Sequence, residues 1–222
     1  MGTHGLSGTP PPPATDHAET PLSGRSALRK PLRAARRQLS EQAQAQAAIG
    51  LLTQLRRRPE LRRARRIAVY LPQDGEIDPG PIAEWLYLHR RRVFLPVIDP
   101  IARGSQRLRF APWHPDTCFR SNRFGIPEPI VTRTVPGWTL DLVLLPLVAF
   151  DARGNRLGMG GGFYDRSFDL RRSRGHRPRL IGLAHGFQEV AELSAARHDV
   201  PLHGIATEAR FLAVAAAKEG AQ

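Results

Sequence analysis

The chain has 222 residues, enough for one or two domains at roughly 150 residues each. It carries 33 Lys/Arg against 20 Asp/Glu, a formal charge of +13, and thirteen of those cations lie between Leu22 and Arg66 beside only two acids, Glu41 and Glu60. The single cysteine, Cys118, excludes an intramolecular disulfide and a Cys-rich zinc site. The longest apolar stretch, 140–150, is about half the ~20 residues of a membrane helix, so a cytoplasmic protein without a membrane partner is expected.

Residues 1–22 are rich in Gly, Ser, Thr and Pro, begin without the apolar segment of a secretory signal, and read as a disordered Pro/Gly-rich tail ahead of a domain at 23–222. Leu28, Leu32 and Leu39 fall at helical spacing among arginines, which predicts a helix over 25–39 that kinks at Pro31 or starts near it. Ser40 is the expected N-cap of a second helix running to about Arg57. The run 67–71 predicts a buried strand, 82–86 a helix, 93–97 a second strand and 108–110 a short third one. Residues 112–139, dense in proline, read as loop. The most apolar strand is expected at 140–145, followed by a helix over 164–172, a strand over 180–184, a helix near 188–193 and a last strand at 204–206. Helices alternating with β-branched, apolar strands predict an α/β fold: one three-layer domain with a mostly parallel central sheet flanked by helices.

Ligands of open parallel sheets bind at the carboxyl ends of strands, and two such ends carry unusual residues. One is Leu71-Pro72-Gln73-Asp74-Gly75-Glu76. The other leads from Pro146 to Asp151 and on to Arg156-Leu157-Gly158-Met159-Gly160-Gly161-Gly162-Phe163-Tyr164-Asp165. Four glycines in five positions let backbone approach a ligand closely, and N–H groups ahead of a helix form an anion nest. Arg156 could neutralise phosphate charge, and Asp165 could hold a metal ion that bridges phosphates. The segment is neither a Walker loop nor a GxGxxG fingerprint, and on its own it fits a structural turn, a phosphate cradle or another close contact. The arginine clusters could attract nucleic acid, but they lack interleaved aromatics and read instead as solvated helix faces. His185 reads as structural, Asp141 as a hydrogen-bonding cap, and Trp85, Trp113 and Trp138 as packing residues.

Taken whole, Pro146 to Asp165 closely resembles the signature of the 5-formyltetrahydrofolate cyclo-ligase family. Arg25-Ser26-Ala27-Leu28-Arg29-Lys30, Tyr70-Leu71-Pro72 with Gly75-Glu76-Ile77-Asp78, and His198-Asp199-Val200-Pro201-Leu202 resemble further family segments in the right order. The likeness spans residues 25 to about 212. It implies an ATP-dependent ligase that converts 5-formyltetrahydrofolate to 5,10-methenyltetrahydrofolate through a phosphorylated N5-formyl intermediate, with Mg²⁺ as the metal, small molecules as partners and a monomer as the expected state. It further implies ATP contacts at Arg25, Leu28, Arg29, Arg156, Leu157, Gly158, Met159, Gly160, Gly161, Gly162, Phe163 and Tyr164. Folate contacts are implied at Leu71, Glu76, Phe124, Met159, Gly160, Gly161, Gly162 and Phe163, and Mg²⁺ ligands at Asp165 and Asp199. Arg156 and Glu76 are the residues expected to act in catalysis, Glu76 by binding or orienting the pterin. The chain departs from the pattern in having Arg25 where many members carry Lys, Gly161 where some carry Lys, and His203 where Asp is common. His203 is therefore not expected to bind metal. A nucleic-acid-binding protein, or a different α/β enzyme that turns over without nucleotide, is the competing reading.

Overall fold

The computed structural model describes residues 22–99, 106–122, 125–130, 133–169, 176–194 and 199–214; of the expected N-terminal tail, residues 1–21 lie outside them and Leu22 opens the first helix. Helix α1 (Leu22–Arg37) leads into α2 (Glu41–Leu55) and α3 (Pro59–Arg63). Pro31 sits inside α1 without ending it. Both Pro31 and Ala27, whose carbonyl loses its i+4 donor, are exposed, so water can take the freed carbonyl. Because α1 begins at Leu22, the expectation of a helix starting near Pro31 is corrected. Ser40 caps α2 as anticipated, its hydroxyl accepting from Ala43 N at 3.2 Å. Ala47, Leu51 and Leu55 then form one buried stripe at i, i+4 spacing.

Strand β1 (Arg66–Ala68) precedes α4 (Gly80–Leu88) and β2 (Arg92–Ile98), and β3 (Leu108–Trp113) returns antiparallel to β2. The region expected to be loop is broken by a hairpin, β4 (Phe119–Ser121) with β5 (Pro127–Pro129), and by the two-residue β6 (Val135–Pro136). Next come β7 (Leu142–Pro146), a ribbon of β8 (Ala149–Phe150) with β9 (Arg156–Leu157), α5 (Phe163–Ser167), β10 (Arg179–Leu183), β11 (Gly204–Ala206) and β12 (Phe211–Ala213). Among the described residues α5 stops at Ser167, short of the expected 172. The helix expected near 188–193 is only a 3₁₀ turn over Gly186–Gln188.

The sheet runs β12-β11-β10-β7-β1-β2-β3-β6. Its five central strands are parallel and its outer pairings antiparallel, which bears out the mostly parallel α/β reading. Alternation along the strands divides the core. Ile67, Val93, Leu142, Leu144 and Ile181 face α2, α3 and α4, while Ala68, Phe94, Val143, Leu145 and Leu180 face Phe150, Phe168, Leu147 and Leu202. Each fully buried Leu or Ile side chain contributes roughly 1.5–3 kcal/mol by transfer from water. A third apolar group, Val148, Ala149, Leu157 and Leu193, receives Leu28 and Leu32 of α1. Asp141 accepts the Arg65 and Arg66 N–H groups at 2.7 and 2.9 Å, the capping role expected of it. Trp85 and Trp113 pack on the core, but Trp138 is 57% exposed, which corrects the packing role expected there. No helix of the described residues is long and apolar enough to cross a membrane.

Candidate active site

The carboxyl ends of β1, β2 and β7 open into a cavity of about 590 Å³, well within the size range of small-molecule sites. The turn after β1 supplies Tyr70, Leu71, Gln73, Asp74 and Glu76; β9 and the glycine segment supply Arg156 and residues 158–165; α1 supplies Arg25 and Arg29. Asp199 completes one wall, and the β4–β5 hairpin contributes Asn122, Ile126, Pro127 and Glu128 to another.

Helix α1 brings arginines to this region at intervals of about one turn. Arg25, 9% exposed, donates to Ser194 O at 2.6 Å, Arg156 O at 3.1 Å and Asp199 Oδ2 at 3.0 Å. Arg29 Nε donates to Gly158 O at 3.0 Å. One turn further, Arg33, Arg36 and Arg37 converge on Asp74, with donor distances of 2.6, 3.0 and 2.6 Å. Arg36 is wholly buried, donates also to Leu147 O at 3.3 Å, and lies 3.8 Å from Glu76 Oε1. Burial alone would push the Asp74 carboxyl up. The hydrogen bonds from its three arginines outweigh that and hold it at about 2.

Glu76 is different. Its Oε2 accepts the Gln73 N–H at 3.1 Å, yet burial pushes its carboxyl up to about 7 against the pull of that bond and of Arg36. Burial also raises the hydroxyls of Tyr70 and Tyr164, and the charge of Glu76 adds to both. Tyr70 donates to Ile77 O at 2.7 Å, which fixes the turn that carries Glu76. His185 is buried, with Nε2 3.2 Å from Gly75 O. It therefore braces that turn, consistent with a structural histidine. His203 Nδ1 accepts the Leu180 N–H at 3.0 Å, a bond within the sheet rather than a metal contact.

Within the glycine segment, Gly160 at φ +92° and Gly162 at φ +60° hold a left-handed conformation that side chains rarely adopt. Arg166 donates to Gly161 O, just as Arg29 does to Gly158 O, so guanidiniums occupy two of the loop carbonyls. Because α5 spans only five residues, the anion-binding character expected from a helix dipole reduces to backbone N–H groups and side-chain cations. Asp165 Oδ1 is hydrogen-bonded by Arg156 and by Val200 N, the latter at 3.2 Å. That contact sets it next to Asp199 in the chain's path. No cluster of three or more metal-ligating side chains occurs among the described residues. Asp165 and Asp199 both line the cavity, and one or two carboxylates with substrate phosphates are the usual way Mg²⁺ is bound.

Of the residues expected from the sequence, the structure thus brings Arg25, Arg29, Leu71, Glu76, Arg156, Gly158, Met159, Gly160, Gly161, Gly162, Phe163, Tyr164, Asp165 and Asp199 to one cavity. Leu28 and Leu157 lie instead in the apolar cluster beneath the glycine segment, where they support it rather than line the cavity. Phe124 lies outside the described residues. Sequence reasoning missed Asp74, Arg33, Arg36 and the hairpin residues Asn122 and Glu128. Asp74 had only a local signal, the Asp-Gly pair that marks a turn, where it takes φ +55°; nothing local named its arginine partners.

An open α/β sheet with a glycine-lined cavity at its strand ends, walled by guanidiniums and carboxylates, is the framework of an enzyme acting on small molecules. The model of the 5-formyltetrahydrofolate cyclo-ligase family matches residues 22–208. The protein named 5-formyltetrahydrofolate cyclo-ligase from Haemophilus influenzae is 39% identical over 180 residues, covering 80% of this chain and 90% of its own length. Its namesake from Escherichia coli K12 is 37% identical over 181 residues, covering 81% and 97%. Among solved structures, a 5,10-methenyltetrahydrofolate synthetase from Aquifex aeolicus superposes with a TM-score of 0.72 at 28% identity, over 89% of this chain and 96% of that one. The chain belongs to the 5-formyltetrahydrofolate cyclo-ligase family and is a ligase.

Proposed function

We propose that the protein converts 5-formyltetrahydrofolate to 5,10-methenyltetrahydrofolate at the expense of ATP, releasing ADP and phosphate. The observation that carries this reading is a single cavity in which the arginine-braced glycine segment meets the nearly buried Glu76. A formamide oxygen is both a poor nucleophile and a poor leaving group. Its attack on the γ-phosphorus expels ADP and leaves an N5 iminium phosphate. N10 then adds to the formyl carbon, loses its proton, and phosphate departs. No protein nucleophile is required, so the residues must align, neutralise and exclude water.

The N–H groups of 158–162, with Arg29 and Arg156, suit the triphosphate, and Arg25 positions Asp199 and the Arg156 backbone. Asp165 and Asp199 are the residues that would hold Mg²⁺, which when bound supplies charge neutralisation to the phosphates. Glu76 sits where it can bind or orient the pterin, and the apolar side chains Leu71, Leu95 and Phe163 keep water from the intermediate. The test is a continuous near-UV assay for the methenyl product, with ATP and Mg²⁺ omitted in turn. Product that requires both supports the reading. Turnover without nucleotide would replace it with a different α/β enzyme, and no turnover by folded protein would overturn it.

A further inference from the structure

The carboxylates on the cavity wall are not equivalent. Asp74 is saturated by three arginines, Asp165 pairs with Arg156, Asp199 with Arg25, and Glu76 lies beside Arg36. Glu128, on β5 of the hairpin, has only neutral hydrogen-bond partners among the described residues. Both of them reach the same atom. Oε1 accepts the Ile98 N–H at the end of β2 and the Asn122 side-chain amide, each at 2.9 Å. Oε2 has no hydrogen bond among the described residues, and the side chain lines the cavity. Asn122 is itself tied into the hairpin, its N donating to Ile126 O at 2.9 Å and its Oδ1 accepting from Ile126 N at 3.1 Å. One oxygen of Glu128 therefore holds the hairpin to the sheet and fixes the side chain, and the other is without a protein donor among the described residues.

From this geometry we infer that Glu128 is a specificity residue whose Oε2 receives the adjacent N–H donors of the substrate's amino-pyrimidinone edge. The inference rests on the folate reading above. A free carboxylate oxygen suits a ring edge that carries a ring N–H beside an amino group, because both groups donate and either can bond to it. The anionic glutamate tail of the same substrate would be repelled there. Glu76 approaches the cavity from the turn after β1 and Glu128 from the hairpin, so the two can address different edges of one ring.

Glu128→Gln separates recognition from architecture. The Gln carbonyl can still accept both hairpin bonds, while a donor replaces the free acceptor. The expected result is a KM for 5-formyltetrahydrofolate raised roughly 10- to 100-fold, as for loss of a hydrogen bond to a charged group, with the KM for ATP and the melting temperature unchanged. The wild type should also prefer the normal substrate over an analogue lacking the 2-amino group, and Glu128→Gln should lose that preference. Glu128→Ala, which also releases the hairpin, should lower the melting temperature. Wild-type folate KM in Glu128→Gln would overturn the assignment, as would a rise in both substrates' KM with a lowered melting temperature. Absence of turnover in the wild type would instead remove the folate reading itself, and this assignment with it.

Discussion

Replacing Asp74 by Asn removes the one anion that three guanidiniums share, and its effect can be sized. The carboxyl titrates at about 2 rather than 3.8. Each tenfold change in proton affinity corresponds to about 1.4 kcal/mol, giving about 2–3 kcal/mol. Arg33 and Arg37 are 37% and 52% exposed, so solvent screens their shares, whereas Arg36 at 0% keeps its own. A net loss of about 2 kcal/mol at pH 7 follows, or a melting temperature lower by roughly 4–8 °C for a chain of this size. The folded-state value is depressed, so the stabilisation is complete above the ordinary carboxyl range and is lost as the pH falls through about 2. Urea denaturation of wild type and Asp74→Asn at pH 7, 5 and 3 measures this directly. The gap should be constant between pH 7 and 5 and about half as large at pH 3. A variant within about 0.5 kcal/mol of wild type at pH 7, or a gap that does not narrow in acid, would refute the arginine clamp as the source of the stability.

Other expectations concern the two substrates. Glu76, raised to about 7 by burial, is protonated below that pH. If its carboxylate serves the pterin, kcat/KM for 5-formyltetrahydrofolate should climb through one ionisation near pH 7. Glu76→Gln should then be flat with pH and slower by roughly 100-fold, with little change in the KM for ATP; an unaltered pH profile in the variant would sink this role. Arg29→Met should raise the KM for ATP about tenfold and leave the folate KM alone, as isothermal titration with a non-hydrolysable nucleotide would verify. Gly160→Ala would place its Cβ 3.6 Å from the Arg29 guanidinium, an ordinary contact, but at φ +92°. The cost of about 1–2 kcal/mol is therefore conformational, and it should appear as weaker nucleotide binding rather than as a steric clash in the variant's structure.

The parallel core was readable because its strands are short apolar runs separated by polar helices. Ile67, Val93, Leu142 and Ile181 fell inside runs that the sequence alone marked as strands. The glycine segment was readable because few structures need glycine at four of five positions. What escaped were features decided by tertiary context. Two-residue and three-residue strands such as β6 and β12 carry no period long enough to detect. Pro31 was tolerated inside α1 because the carbonyl it strands faces solvent, a property of the helix's placement and not of its residues. Leu28 and Leu157 sit beside nucleotide-type residues in sequence, yet helix and strand periodicity turns them into the apolar layer beneath. The Asp74 clamp and the Glu128 bridge join residues about 40 and 30 positions apart, beyond any local pattern.

Helix α1 sits at the start of the described chain, and Arg25 on it bonds Asp199, 174 positions later, while Arg29 bonds Gly158, 129 positions later. Contacts of such separation carry a large loop-closure entropy. During synthesis the parallel strands β1, β2 and β7 can pair while the cavity wall still lacks Asp199. That wall is therefore completed only once residue 199 has emerged, well after the strands it opens from.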